Sequence, residues 1–204
     1  MITKLEKKYF HETLYTLYDD GIFEEFGAIK LLSLECKSGG LNITLRFIID
    51  SENNYSDYHL SFGNVKAYSI KNSYTPNFQI TDNDPRLIVH NSYYSSLYFK
   101  NRANDPTRLI EDIAFAIKNK YENQISLEDL FGSVDGFIRR SKMEYGLYFS
   151  SGKEIVDLVY PLLKHHQMNP SIIVSKNIKV GNYKIAYFGK SWIVFKELKM
   201  EIMN

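Results

Sequence analysis

The chain has 204 residues, a formal net charge of +1 and 24% charged residues. This length lets one domain, or two small lobes, bury a core without disulfides or a structural metal. The nearly neutral charge argues against a domain dedicated to nucleic acid, because such domains are usually strongly basic. A single cysteine excludes an internal disulfide and favours a reducing compartment.

Charge is unevenly distributed along the sequence. Residues 1–135 contain 14 Lys+Arg and 19 Asp+Glu, a net charge of −5, whereas residues 136–204 contain 11 and 5, a net charge of +6. The asymmetry indicates an acidic part that meets a basic partner, a basic part that meets an acidic one, mutual attraction, or simply solvated faces. No stretch has the apolar run of a signal peptide or a membrane span. We therefore expect a cytoplasmic protein without a membrane segment.

The first predicted elements are a helix and an antiparallel meander. Apolar residues at helical spacing predict an amphipathic helix from Thr3 to Asp19, with Thr3 and Glu6 as a capping box. Alternating apolar and polar residues over 41–50 predict a strand, and the preceding Gly-Gly pair predicts a hairpin. Further strands are predicted from the patterns at 58–62, 65–70, 78–81, 87–90 and 93–99.

Helices dominate the pattern from residue 105 onward. Asp105-Pro106 predicts a helix start, because proline presets φ and its missing amide hydrogen has no partner in a first turn. Similar reasoning predicts a second helical stretch to about Lys142, a strand at 146–150, a helix at 152–166 opened by a capping box at Ser151, a strand at 171–175 and a closing hairpin over 183–198.

These elements predict an α+β fold. A mostly antiparallel sheet of about residues 28–99 is expected to pack against helices, with a small strand-helix-strand unit and a C-terminal hairpin. We expect residues 1–204 to form a single domain, with a possible division into a sheet-rich lobe, 1–104, and a mixed lobe, 105–204.

No set of residues is spaced for a recognised chemistry. Gly189-Lys190-Ser191 resembles the end of a phosphate-binding loop, but Lys184 stands where the first glycine is needed. His165 and His166 are adjacent on a helix and point about 100° apart, so they cannot share an ion as an i, i+4 pair would. We therefore predict no catalytic residue, no cofactor and no metal site.

Two aspartates and two tyrosines are the candidate protein-binding residues. Asp82 and Asp84 flank a turn, and Tyr93 and Tyr94 must face opposite sides of a strand, so that one of them is expected to face outward. An exposed tyrosine beside acidic residues is typical of a protein-binding patch.

Three stretches of sequence resemble a known group of proteins. DYHLSFGNVKAYSI, SSLYFK and GKSWIVFKEL are similar to strand segments of uncharacterised bacterial proteins that carry an L-x-F-x-N-V-x-x-Y pattern. Some of those proteins resemble the small immunity proteins that neutralise toxins of competing bacteria. The resemblance carries no catalytic signature and assigns no residue, and it implies a non-enzymatic cytoplasmic binder.

The sequence thus favours a protein-binding or inhibitory module whose partner is another protein, with immunity against a basic toxin domain as its sharpest version. Two alternatives stay open. One is an enzyme with a pocket between sheet and helices that uses Cys36, His59 or His90. The other is a nucleic-acid binder that uses the basic C-terminal third. There Arg139, Arg140 and Lys142, followed by scattered lysines, could contact phosphates, and the interleaved aromatic residues Tyr145, Tyr148, Tyr183, Tyr187 and Trp192 could stack on bases.

Overall fold

The computed structural model of the chain describes residues 4–21, 27–51, 54–71, 75, 77–122, 124–131, 133–174 and 181–203. It confirms the α+β class, with antiparallel strand pairs throughout. The chain divides into two compact units, the first formed by Met1–Asn83 with Tyr183–Asn204 and the second by Asp84–Asn182. The lobe boundary expected at residue 104 therefore falls inside the second unit.

In its described residues, the first unit contains two helices and two four-stranded sheets. Its helices are α1, Lys4–Tyr9, and α2, Glu12–Asp19. Its strands are β1, Ala28–Lys37; β2, Gly40–Ser51; β3, Asn54–Gly63; β4, Ala67–Ser69; β5, Phe78–Thr81; β9, Lys184–Phe188; β10, Ser191–Phe195; and β11, Glu197–Met203. One sheet has the order β1-β2-β3-β11 and the other the order β4-β10-β9-β5.

The predicted meander of β1, β2 and β3 is present. Ser38 and Gly39 connect the first two strands, and Gly39 has φ +75°, the left-handed conformation that a two-residue hairpin requires. The register places Arg46 opposite Asp57, where the guanidinium forms two hydrogen bonds of 2.8 and 2.9 Å to the carboxylate. This charged pair lies on the sheet face opposite the core, as the alternation of the sequence requires.

Helices α1 and α2 protect the edge of the second sheet. The buried Glu6 accepts a hydrogen bond from the backbone N–H of Ile80 at 3.2 Å, and the hydroxyl of Tyr18 accepts one from Phe78 N at 3.1 Å. Backbone donors on an outer strand would otherwise be left unpaired beneath the helices. The Glu6 side chain thus accepts a hydrogen bond from the edge of a strand. The predicted capping box of Thr3 and Glu6 cannot be compared in full, because Thr3 lies outside the described residues.

The second unit contains one three-stranded sheet and the remaining helices. A 3-10 turn at Pro85–Leu87 precedes α3, Ile88–Asn91; the later helices are α4, Pro106–Tyr121; α5, Leu127–Phe131; α6, Val134–Ser141; and α7, Lys153–His165. The strands are β6, Tyr94–Phe99; β7, Gly146–Gly152; and β8, Ser171–Val174. Both β7 and β8 pair antiparallel with the central β6, so β7, α7 and β8 form the expected strand-helix-strand unit.

Several predicted elements differ from the structure. The helix expected from Thr3 to Asp19 is two helices, because His11 acts as an N-cap and accepts from Thr13 N at 3.4 Å. The strand expected at 87–90 is helical, and residues 28–99 contribute strands to three sheets. The expected capping box at Ser151 is absent, because the N-cap is Gly152. A Cβ on Gly152 would lie 2.5 Å from the backbone oxygen of Ile88, so only glycine fits there.

Each unit has its own hydrophobic core. In the first, residues from both sheets and from α1 and α2 pack together, with Phe47 and Tyr58 in an edge-to-face ring contact. In the second, α4, α6 and α7 cover one face of the three-stranded sheet, and Tyr148 packs among the rings of Phe99, Phe137 and Phe149. In the described ranges, no helix is both long and apolar enough to span a bilayer.

Candidate functional site

One face of the three-stranded sheet in the second unit is open and carries no charge. Strand alternation places Leu97 and Phe99 on the core side and Tyr94, Ser96 and Tyr98 on the other side. The strand register adds the neighbours of these residues on β7 and β8, since directly paired residues share a face. The exposed and half-exposed members of this open face are Tyr94, Ser96, Tyr98, Leu147, Ser150, Ser171 and Ile173; Gly152, opposite Tyr94, is buried against Ile88 at one end.

Its large side chains are exposed to an unusual degree. Ile173 is 60% exposed, Leu147 43% and Tyr94 38%, while the face offers only hydroxyl groups as polar partners. The solvent-exposed face of an antiparallel sheet normally carries polar and charged residues. The two serines in the middle, Ser96 and Ser150, hydrogen-bond to each other with their hydroxyl oxygens 2.8 Å apart. A partner could therefore cover the centre of this face without leaving those hydroxyls unpaired.

The four predicted binding residues have different surroundings. Tyr94 is part of the open face, and Tyr93, the residue before β6, is 58% exposed. Asp84 caps the 3-10 turn by accepting from Arg86 N at 2.9 Å, so its carboxylate has a structural role. Asp82 is exposed and belongs to the first unit, whereas the other three belong to the second. A common patch of all four stays a prediction.

The residues suggested for an enzyme are not assembled by the first unit. Cys36 pairs with Leu41 on the core side of the first sheet, but its side chain is exposed at the sheet edge and lies 3.5 Å from the hydroxyl of Tyr68. His59 pairs with Thr44, three residues further along β2, and therefore lies on the opposite face from Cys36. A Cys36-His59 pair is excluded by this register.

One of the aromatic residues suggested for stacking on nucleic acid is buried in the structure. Tyr148 is completely buried, whereas Tyr145 is 75% exposed. Arg140 lies over the ring of the buried Phe137, with its guanidinium carbon 4.8 Å from the ring centre. A buried ring cannot stack on a base, so Tyr148 contributes to the core instead.

A second site-like arrangement surrounds His166 in the second unit. His166 is 3% exposed, its Nε2 lies 2.9 Å from Asp112 Oδ2 and its Nδ1 lies 3.1 Å from Asn104 Oδ1. The same Asn104 oxygen accepts from the backbone N–H of Asp105 at 2.9 Å, which fixes the orientation of the amide. Both ring nitrogens therefore face oxygen atoms, which fixes the orientation of the imidazole ring between Asp112 and Asn104.

The carboxylate beside His166 is held in its ionised form. The hydrogen bond from His166 is the main cause that lowers the pKa of Asp112, and the positive charge of Arg108, whose Nε lies 3.2 Å from Asp112 Oδ1, lowers that pKa further. The sequence placed His166 at the end of a predicted helix but revealed neither partner, because Asn104 and Asp112 lie far from His166 along the chain.

The lowered pKa predicts a specific acid sensitivity. The ionised Asp112 stabilises the folded state fully above its unfolded pKa, near 4, and this contribution is lost as the pH falls through the lower folded pKa. In urea titrations, we expect the wild type to be more stable than Asp112→Asn at neutral pH and the difference to shrink below about pH 4. Glu111→Gln, which changes an exposed partner of Arg108, should differ from wild type by less than about 1 kcal/mol at any pH. A constant difference for Asp112→Asn would contradict this role.

Comparisons with known proteins identify no relative. The chain matches no family model, no curated protein and no solved structure at a significant level. The class that its fold defines is an α+β protein with antiparallel sheets, and the arguments about function depend on its own residues.

Proposed function

We propose that this protein is a non-enzymatic binding module that docks another protein on the open face of the second unit. The observation that supports the proposal is the absence of charge on that face, together with its exposed leucine, isoleucine and tyrosine side chains. Depletion of charge and enrichment in aromatic residues distinguish the buried centre of an interface from ordinary surface. Apolar patches of this kind on a protein surface commonly mark interaction sites.

The geometry of the face supports an apolar anchor with polar groups near it. Ile173, on the outer strand β8, is the most exposed apolar residue of this face and lies beside Ser96, while Tyr94 and Tyr98 can donate hydroxyl hydrogen bonds. The backbone of Tyr93 is fixed beside the start of α7, because its carbonyl accepts a hydrogen bond from Lys153 N at 2.8 Å. Tyrosine is frequent among the residues that dominate interface energies.

The most specific form of this proposal is that the protein is an immunity protein that acts in the cytoplasm against a toxin. The partner would present a complementary apolar surface to the open face. If the partner is basic, the excess negative charge of residues 1–135 would accelerate its association at low salt. This version predicts a tight complex without turnover, and it is tested best with the toxin-like product of a gene adjacent to that of this protein.

Ile173→Asp is expected to abolish protection and to weaken the complex at least roughly thirtyfold. The change places a carboxylate among the apolar side chains of the face, and losing a dominant contact costs about 2 kcal/mol or more. The measurements are the growth of cells that express the adjacent toxin together with each variant, and the Kd of the purified pair.

Phe115→Asp is the matched control, because Phe115 is an exposed apolar residue on α4, outside the open face. It should protect cells and bind as the wild type does. The proposal fails if the wild type neither binds the adjacent gene product nor protects cells. The assignment of the face fails if Ile173→Asp binds with unchanged affinity.

A further inference from the structure

A polar cleft lies beside His166 and is distinct from the open face. Its volume is about 640 Å³. The lining residues come from the loop before α4, the end of α6 and the turn after α7; they are Asn101, Arg102, Ala103, Asn104, Pro106, Lys142 and Gln167. This volume is within the usual range of small-molecule sites. The lining contains two cations and three amides, and no carboxylate.

Backbone hydrogen bonds fix the three segments against one another. Ala103 N donates to Ser141 O at 2.8 Å, and Asn101 N donates to Met168 O at 3.1 Å. Asn104 N donates to His166 O at 3.3 Å. The walls of the cleft are thus joined independently of the long side chains that project into it, and a ligand would find much of the site already formed.

The cleft presents two cations together with amide groups that can both donate and accept. Arg102 and Lys142 can only donate, and neither forms an ion pair within the part of the chain that the structure describes. Asn104 Oδ1 already accepts from His166 and from the backbone of Asp105, so the Nδ2 end of this amide is the end left for a ligand. A site with positive charge and free donors selects a ligand that carries negative charge and accepts hydrogen bonds.

The nearest carboxylates are engaged elsewhere. Asp105 caps α4 by accepting from Arg108 N at 3.0 Å, and Asp112 pairs with His166 and Arg108. His166 thereby acts as a positioning residue, because its ring contacts the amide of Asn104 through one nitrogen and the carboxylate of Asp112 through the other. The positive charges of Arg102 and Lys142 are left for a bound anion.

We infer that this cleft binds a small phosphate-bearing molecule through Arg102, Lys142 and the Nδ2 amide of Asn104. A phosphate monoester carries nearly two negative charges at neutral pH and offers three acceptor oxygens, which matches two cations and one amide donor. Because the cleft is larger than a phosphate ion, the ligand is expected to have an additional uncharged part. This site is independent of the open face and of any protein partner.

The test uses the full chain with adenosine 5′-monophosphate, inorganic phosphate and adenosine as probes in calorimetric titrations. We expect saturable binding of the monophosphate and none of adenosine, since the uncharged nucleoside lacks the recognised group. Binding of inorganic phosphate alone would also support the anion site and would restrict the ligand to a smaller size. The inference is overturned if neither anion binds, or if adenosine binds as tightly as its monophosphate.

Two variants connect the binding to this cleft. Arg102→Gln combined with Lys142→Gln should raise the Kd at least roughly tenfold, because charge-assisted hydrogen bonds are lost. Asn104→Asp keeps acceptor oxygens for His166 and for the backbone of Asp105 but replaces the free donor with negative charge, so it should also raise the Kd at least roughly tenfold.

Lys118→Gln removes one exposed positive charge from α4 outside the cleft and should leave the Kd unchanged. Thermal unfolding of each variant in the absence of ligand checks that the fold is retained. If the double variant and Asn104→Asp are folded and bind the monophosphate as the wild type does, the cleft is not the site.

Discussion

Replacing Tyr148 with alanine is expected to lower the free energy of unfolding by about 4 kcal/mol. Tyr148 is completely buried at the centre of the second unit, with ring centres 4.9 Å from Phe137 and 5.8 Å from Phe99. Truncation at this position removes a full aromatic ring and leaves a cavity that the surrounding rings cannot fill without leaving their own contacts. Urea unfolding, followed by circular dichroism, measures the change.

Tyr148→Phe separates the hydroxyl from the ring. Ser141 donates its hydroxyl proton to Phe137 O at 3.0 Å, so in the contact of 2.8 Å between the two hydroxyls Tyr148 is the donor. Removing the tyrosine hydroxyl deletes this hydrogen bond but leaves the ring packing intact, and the expected loss is about 1 kcal/mol.

The same hydroxyl predicts an alkaline sensitivity. Burial raises the pKa of Tyr148 to about 12, above the ordinary tyrosine value near 10. Because the folded pKa is raised, the stabilising contribution is complete below the unfolded pKa and is lost as the pH rises through the folded value. The stability of the wild type should therefore fall by about 2–3 kcal/mol relative to Tyr148→Phe between about pH 10 and pH 12.

Tyr145→Phe is the control, because Tyr145 is 75% exposed and its hydroxyl has no buried partner to lose. Its pH profile should follow that of the wild type. A loss below about 1 kcal/mol in Tyr148→Ala, or parallel alkaline profiles for the wild type and Tyr148→Phe, would show that this ring is not central to the core.

The Asp-Pro signal predicted a helix start correctly where it was used, and a helix was missed where the same signal was passed over. Asp105-Pro106 correctly predicted the start of α4, with Asp105 accepting from Arg108 N at 3.0 Å. Asp84-Pro85 is the same pattern and also begins helical structure, yet the short apolar run at 87–90 was interpreted as a strand. Short apolar runs fit either structure, so the cap should have decided.

The candidate sites illustrate which contacts a sequence can reveal. The open face could have been found, since the segments that form β6, β7 and β8 contain no charged residue at all. The cluster around His166 could not, because it joins side chains from α4 and from the loop before it to the end of α7. Only the packing of α4 against α7 brings these partners together, and no local pattern encodes that.

Replacing residues 84–182 with a short glycine-containing link is expected to leave the first unit folded. Strands β5 and β9 are adjacent and antiparallel, with Thr81 opposite Ile185, so the chain leaves and re-enters the sheet at neighbouring positions. A link between Asn83 and Tyr183 would convert these strands into an ordinary hairpin, and a shorter loop lowers the entropy cost of pairing them. We expect one cooperative urea transition and a far-ultraviolet spectrum typical of strands.

The reason is that the core of the first unit is complete without the removed segment. Its buried cluster is drawn from residues up to Ile80 and from Ala186 onward, and the edge of β5 is already bonded to Glu6 and Tyr18. The control is the same deletion with Ile193→Asp, which places a carboxylate in the buried cluster of the first unit and should not fold. If the shortened chain with Ile193 also shows no cooperative transition, the first unit is not an independent folding unit, and its sheet depends on the second for more than chain connectivity.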